Sequence, residues 1–316
     1  MSDRLPSQPL IRDGETVLGD RPLEAWLPVL EQIRDRHGLP AGPWRRIARA
    51  KNVVFALGER WIVKLVPPVW LPDARREAAA LRLVAGRLPV ATPELVAEEE
   101  RDGWAVLVFT RMEGEILADH WPKLPAGERR ALVAQIGQVG AALHALPLGD
   151  QPGLAFDWAE LFGWLRLNLE EELPQCDMPA PLRERLPELL AHARTPDPHG
   201  PALPLHGDLS AGNFLIRPGA AGWEICGLLD FGDAKAGDLA HELLSPALNL
   251  LRGDPALLEA LYEGYGLPPS TRSAAFQTEL LARALLYYGW GYLSRWLPDP
   301  RPTSWEEIGR FYWRLS

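Results

Sequence analysis

The chain has 316 residues, 47% hydrophobic and 24% charged, an ordinary globular composition with material for one large domain or two lobes. Its formal net charge of -9 argues against a nucleic-acid partner, because phosphate backbones reward clustered Lys and Arg; it is compatible with a cationic small molecule. The two cysteines, Cys176 and Cys226, have no zinc-like spacing and suit a reducing cytosol. The N-terminus lacks a basic stretch before an apolar core, and the apolar-rich stretch 131–148 is broken by Gln135, Gln138 and His144. A cytoplasmic location with no membrane partner is therefore expected.

Residues 1–21 carry Pro, Gly and charges and read as a loosely held arm. Leu23, Trp26, Leu27, Leu30 and Ile33 follow helical spacing, and Gly38-Leu39-Pro40 stops that helix. Val53-Val54-Phe55 and Trp61–Val66, around a turn containing Gly58, predict a hairpin. Pro72-Asp73 opens a helix that ends near Gly86, and a strand follows from Trp104 to Phe109. Beyond Gly114 the spacing predicts helices over 126–146, 158–173, 181–193, 239–251 and 274–296, and a capping box at Ser304–Glu307. Two short strands, Phe214–Arg217 and Trp223–Leu229, lie among them. The organisation is a small β-rich lobe over 1–114, a link near 110–115, and a larger helical lobe over 115–316.

The strongest chemical signal is His206-Gly207-Asp208-Leu209-Ser210-Ala211-Gly212-Asn213, in a loop before a strand. Seventeen residues after Asn213 comes Asp230-Phe231-Gly232. Phosphoryl transfer needs one carboxylate facing the attacking hydroxyl, and hard oxygen ligands that hold Mg²⁺ against the nucleotide phosphates. A hairpin-like pair of loops brings Asp208, Asn213 and Asp230 to one edge. Each of these residues alone would be an ordinary turn former; the combined spacing is far more specific.

At these residues the chain resembles the aminoglycoside phosphotransferase family, which is related to eukaryotic-type protein kinases and includes choline, homoserine and fructosamine kinases. The resemblance runs from about Ala50 onward and is strongest between Leu205 and Leu243. It implies an α+β, protein-kinase-like bilobal fold, with a β-rich N-lobe that binds nucleotide and a mainly helical C-lobe that holds substrate. It implies that Asp208 is the catalytic base, that Asn213 and Asp230 bind Mg²⁺, and that His206 and Asp238 support the loop. Lys64, in an apolar strand, is expensive to bury unpaired; Glu77, thirteen residues on, is its expected partner, leaving Lys64 to meet the phosphates of ATP or GTP. No G-x-G-x-x-G loop precedes Lys64, and the corresponding turn is near Ala50-Lys51-Asn52-Val53. Backbone groups from Thr110 to Met112 would meet the purine.

A protein substrate is disfavoured. Gly207 stands where protein kinases carry Arg, and seven residues between Asp230 and Asp238 leave no room for an activation segment. Asp233, three residues past Asp230, is expected at the mouth of the site and in contact with substrate. Asp157, Glu160, Glu170, Glu171, Glu172 and Glu242 are further carboxylates for a cation, and Trp158, Trp164, Trp290 and Trp296 could line a pocket, although both sets fit a solvated face or a core. The expected partners are a nucleotide and a small-molecule acceptor, with the chain acting as a monomer or a dimer. The expected activity is O-phosphorylation of an aminoglycoside-like, cationic compound. The alternatives are a metabolic kinase for choline, homoserine, an amino sugar or a macrolide, and a nucleotide-binding protein without turnover.

Overall fold

The computed structural model of the chain describes residues 5, 11–12, 15–16, 21–47, 52–149, 151–198 and 200–314. Most of the expected arm over 1–21, and Ala50-Lys51 in the turn before Lys64, lie outside them. Leu5 is described and corrects the arm at one point. It is 4% exposed in the core, and its amide donates to the Asp102 carboxylate at 3.0 Å.

A five-stranded antiparallel sheet orders the N-terminal part as Trp44–Ile47, Val53–Leu57, Trp61–Val66, Trp104–Thr110 and Leu95–Arg101. The Lys64 strand is central, with Lys64 opposite Val54 on one side and Leu107 on the other. Alternation along the strands divides the side chains between two cores. Val63, Leu65, Val106 and Val108 join Leu30 and Ile33 of the helix Leu27–Arg36 and Trp26 just before it. Val66, Ala105, Leu107 and Phe109 face the opposite way, onto Ala78 and Leu81 of the helix Leu71–Val84, and this second core continues into the helical part.

The C-terminal part is built on the long helices Ala126–His144, Trp158–Glu172, Pro255–Tyr265 and Ala274–Leu293. The first and third approach closely because Gly264 lies against Ala134: a Cβ on Gly264 would stand 2.0 Å from the Ala134 carbonyl oxygen. The antiparallel hairpin Phe214–Gly219 and Gly222–Leu228 and the two-stranded ribbon Leu203–Leu205 with Lys235–Gly237 lie between the helices and the sheet. The capping box forms, with Ser304 and Glu307 exchanging bonds at the start of Trp305–Trp313. The architecture is α+β and protein-kinase-like, with a sheet-based N-terminal region and a helical C-terminal region.

Two helices expected from spacing are broken by proline. The segment 181–193 is two short helices, Ala180–Glu184 and Leu186–Leu190, because Pro187 has no amide to continue the first. The segment 239–251 is a short helix, Leu239–Glu242, and a wide π turn, Pro246–Leu251, with Pro246 at the change of register. Gly289, at φ 74, kinks the helix expected over 274–296. No helix among the described residues is long and apolar enough to cross a membrane.

Candidate active site

A cavity of about 440 Å³ opens between the sheet and the hairpin, with Ile62, Lys64, Thr110, Met112, Asn213 and Asp230 among its walls. Ile62, Lys64 and Val66 share the strand face that meets the Glu77 helix, which turns the Lys64 amine inward. Lys64 and Glu77 are 6% and 4% exposed, and Lys64 Nζ lies 2.8 Å from Glu77 Oε2 and 3.0 Å from Asp230 Oδ1. Burial opposes the Lys64 charge, but the two carboxylates outweigh it and raise its pKa above the ordinary lysine value. The ammonium in turn holds the Asp230 carboxyl below its usual range, against partial burial. At the end of the strand Trp104–Thr110, the Thr110 and Arg111 amides donate to the Glu94 and Arg60 carbonyls at 3.0 and 2.7 Å. Those two bonds occupy the Thr110 and Arg111 amides, while Met112, the other expected hinge residue, is also in the cavity wall.

The hairpin brings the other expected residues together. The Leu229 amide donates to the Asn213 carbonyl at 2.8 Å, which ties the loop before one strand to the end of the other. Asn213 Nδ2 donates to the Asp208 carbonyl at 2.9 Å and to Asp208 Oδ2 at 2.8 Å. Its Oδ1 is left as an acceptor, and Asn213 and Asp230 both line the cavity. Asp230 is a non-glycine residue at φ 56, ψ 75, a sparsely populated backbone state of the kind that clusters at functional sites. Its side chain caps its own turn, accepting from the Gly232 amide at 3.4 Å.

The loop is held from inside. His206 is fully buried, with its ring 4.7 Å from that of Phe231. Its Nδ1 accepts from the Asp208 amide at 3.2 Å and its Nε2 donates to the Leu229 carbonyl at 2.9 Å, one ring fixing both halves of the site. Beneath it, Glu242 accepts from the His206 and Gly207 amides at 2.8 and 2.9 Å and meets His144 Nε2 at 3.2 Å. Burial pushes against the Glu242 charge, yet the hydrogen bonds from His144 and from the Gly207 amide hold its carboxyl below the usual range. Gly207 sits at φ 83, and a Cβ there would stand 2.4 Å from the Asp233 carbonyl oxygen, so the position where protein kinases carry Arg has no room for a side chain.

Two expectations change here. Asp238 does not support the loop. Its carboxylate caps the short helix through the His241 amide at 3.0 Å and pairs with Arg283 at 2.7 and 2.8 Å, joining that helix to Ala274–Leu293. Glu242, counted among the carboxylates for a cation, is 0% exposed and makes the contacts expected of Asp238. The signal for it was a lone carboxylate in the run Leu239-Ala240-His241-Glu242-Leu243-Leu244, which must be buried and so must be paired. Ser245 was also missed; its hydroxyl donates to Asp208 Oδ1.

Asp233 is exposed, with its backbone carbonyl packed on Gly207 at the edge of the loop. Asp157 caps the helix Trp158–Glu172 through the Glu160 amide at 2.8 Å, while Glu160, Glu170, Glu171 and Glu172 are exposed. Trp158 and Trp290 are core residues at 8% and 1% exposure, whereas Trp164 is 60% exposed.

The aminoglycoside 3'-phosphotransferase of Streptomyces fradiae is 29% identical over 191 residues, covering 56% of this chain and 67% of that protein. Among solved structures, the GDP complex of wild-type aminoglycoside 2'-phosphotransferase-IIIa superposes with a TM-score of 0.69 at 19% identity, over 84% of this chain and 90% of that one. Macrolide 2'-phosphotransferase MphH from Brachybacterium faecium does so with a TM-score of 0.59 at 21% identity, over 90% and 97%. These likenesses show the fold. A family model described as the phosphotransferase enzyme family matches residues 43–276, well over half the chain, and the chain therefore belongs to that family and is a phosphotransferase.

Proposed function

We propose that the chain is a cytoplasmic kinase that moves the γ-phosphoryl group of ATP or GTP to a hydroxyl of an aminoglycoside-like, cationic small molecule. The observation that carries this reading is a pair of bonded sets, Glu77–Lys64–Asp230 and Asn213–Asp208, of which Glu77, Lys64, Asp230 and Asn213 line one cavity. The acidic net charge, -9, and the curated aminoglycoside relative support the acceptor class. In this reading residues 1–114 are the nucleotide lobe and 115–316 the acceptor lobe.

Asp208 accepts the proton of the acceptor hydroxyl as its oxygen bonds to the γ-phosphorus, and the bond to the bridging β–γ oxygen breaks to release the nucleoside diphosphate. Lys64, kept charged by Glu77, offsets phosphate charge. Asp233, at the mouth, contacts the acceptor. Mg²⁺ fits the donors at hand: Asn213 Oδ1 and the Asp230 carboxylate are hard oxygens open to the cavity. When bound, the ion supplies charge neutralisation between the phosphates. The rate then comes from positioning and electrostatics, with no covalent intermediate.

A macrolide acceptor is the second reading, supported by the likeness to MphH. Purified chain, Mg²⁺, each nucleotide and a panel of aminoglycosides, macrolides, choline, homoserine and amino sugars separate the two. Stimulation confined to aminoglycosides is the expected result; stimulation by macrolides alone would replace the first reading with the second.

A further inference from the structure

The Asp208 carboxylate is engaged at both oxygens. Oδ2 accepts from Asn213 Nδ2 at 2.8 Å and from Ser210 Oγ at 3.2 Å. Oδ1 accepts from Ser245 Oγ. A carboxylate offers about four lone-pair positions. Three are filled here, and the one left open is on Oδ1.

Ser245 is 1% exposed, at the start of the π turn Pro246–Leu251. Asn249, four residues on, donates from Nδ2 to Ser245 Oγ at 3.1 Å. That bond fills a lone pair of the hydroxyl and leaves its proton for Asp208. The Asn249 amide is itself oriented, because the Tyr292 hydroxyl donates to its Oδ1. Tyr292 is held in turn by stacking on Tyr288, with ring centroids 5.2 Å apart at 27°. Every donor in the series Tyr292, Asn249, Ser245 thus points toward Asp208, an arrangement in which successive bonds polarise one another and which needs an anion at its end. The widened turn that Pro246 imposes is what sets Ser245 and Asn249 against the loop, and π turns recur at functional sites.

We infer that Ser245, oriented by Asn249 and Tyr292, is a positioning residue for phosphoryl transfer. It fixes the Asp208 carboxylate so that the open position on Oδ1 receives the proton of the acceptor hydroxyl. That proton goes to Oδ1 as the acceptor oxygen bonds to phosphorus and the β–γ bridge breaks. The acceptor hydroxyl accordingly approaches from the Ser245 side of the loop and not from the Ser210 side. This inference rests on the reading of Asp208 as base.

The test compares Ser245→Ala, Ser245→Thr, Asn249→Asp and Asp208→Asn with the unaltered chain. The readouts are kcat and KM for Mg²⁺-dependent ATP and GTP turnover with water as acceptor, and a crystal structure of Ser245→Ala. Ser245→Ala is expected to lower kcat roughly 10- to 100-fold at unchanged nucleotide KM, with the carboxylate turned from its position. Ser245→Thr returns kcat to within a few-fold of the original. Asn249→Asp, which changes almost no volume, draws the Ser245 proton away and lowers kcat with KM unchanged. Full kcat in both Ser245→Ala and Asn249→Asp, with Asp208→Asn inactive, overturns the positioning role and leaves the base reading intact. An unmoved carboxylate in Ser245→Ala does the same. A parallel rise in KM assigns Ser245 to packing and also overturns it. Full activity in Asp208→Asn overturns the base reading and this inference with it.

Discussion

At the scale of single residues, the site is a set of charges, each held by named partners. Asp208→Asn keeps the shape of the loop and removes the proton acceptor. Acceptor-stimulated turnover should fall at least about 10²-fold, with nucleotide binding by calorimetry unchanged. Gly207→Ala places a Cβ 2.4 Å from a backbone oxygen at φ 83. It should cost on the order of 2–4 kcal/mol, read as a lower Tm, and should distort the loop enough to remove activity. That Asp208 and Asn213 would meet, and that Lys64 would be paired, was legible in the sequence, from a short local spacing and from a charge in an apolar strand. Glu242 was not, since its role depends on a helix folding back beneath the loop, 36 residues from the amide it binds. Asp238 was misread for the same reason. A carboxylate just before a helix can cap it, pair elsewhere or reach the loop, and only packing against Arg283 decides among these.

At the scale of elements, two struts join secondary structure to site. Lys64–Glu77 links the central strand to its helix, and Glu242 links the short helix to the loop. Glu77→Gln removes a buried charge partner and should destabilise by about 3 kcal/mol, with a rise in nucleotide KM. Glu242 has a depressed carboxyl, so its contribution is present above the ordinary glutamate pKa, about 4.3, and is lost as pH falls through its folded value. Thermal melts from pH 7 to pH 3 should therefore show a steeper acid loss in the unaltered chain than in Glu242→Gln, which should already be less stable at pH 7; parallel curves would contradict the assignment. Hairpins and long helices were readable from periodicity. The strand Leu95–Arg101 was not, because Glu98-Glu99-Glu100 on a half-exposed edge carries no apolar run. The segments 181–193 and 239–251 looked continuous because apolar spacing persists across Pro187 and Pro246, while the amide ladder does not.

At the scale of the whole molecule, the cavity lies between the sheet and the hairpin, so under the proposed function a bound nucleotide would touch both parts of the fold. A nucleotide present at about 100 times its Kd should stabilise the chain by roughly 2.7 kcal/mol, and Lys64→Ala should lose most of that shift. The fold class was legible from the change of pattern near Gly114. The acceptor was not, because carboxylates spread over helices reach a pocket only through packing, and Glu160 and Glu170–Glu172 prove to be exposed. The measurement that bears most directly on the central claim is a coupled nucleoside-diphosphate release assay with Mg²⁺, ATP or GTP, and the acceptor panel, run beside Asp208→Ala. The account predicts a rate stimulated by one acceptor class and lost in Asp208→Ala. A stimulated rate that survives in Asp208→Ala, or a chain that binds neither nucleotide, would contradict it.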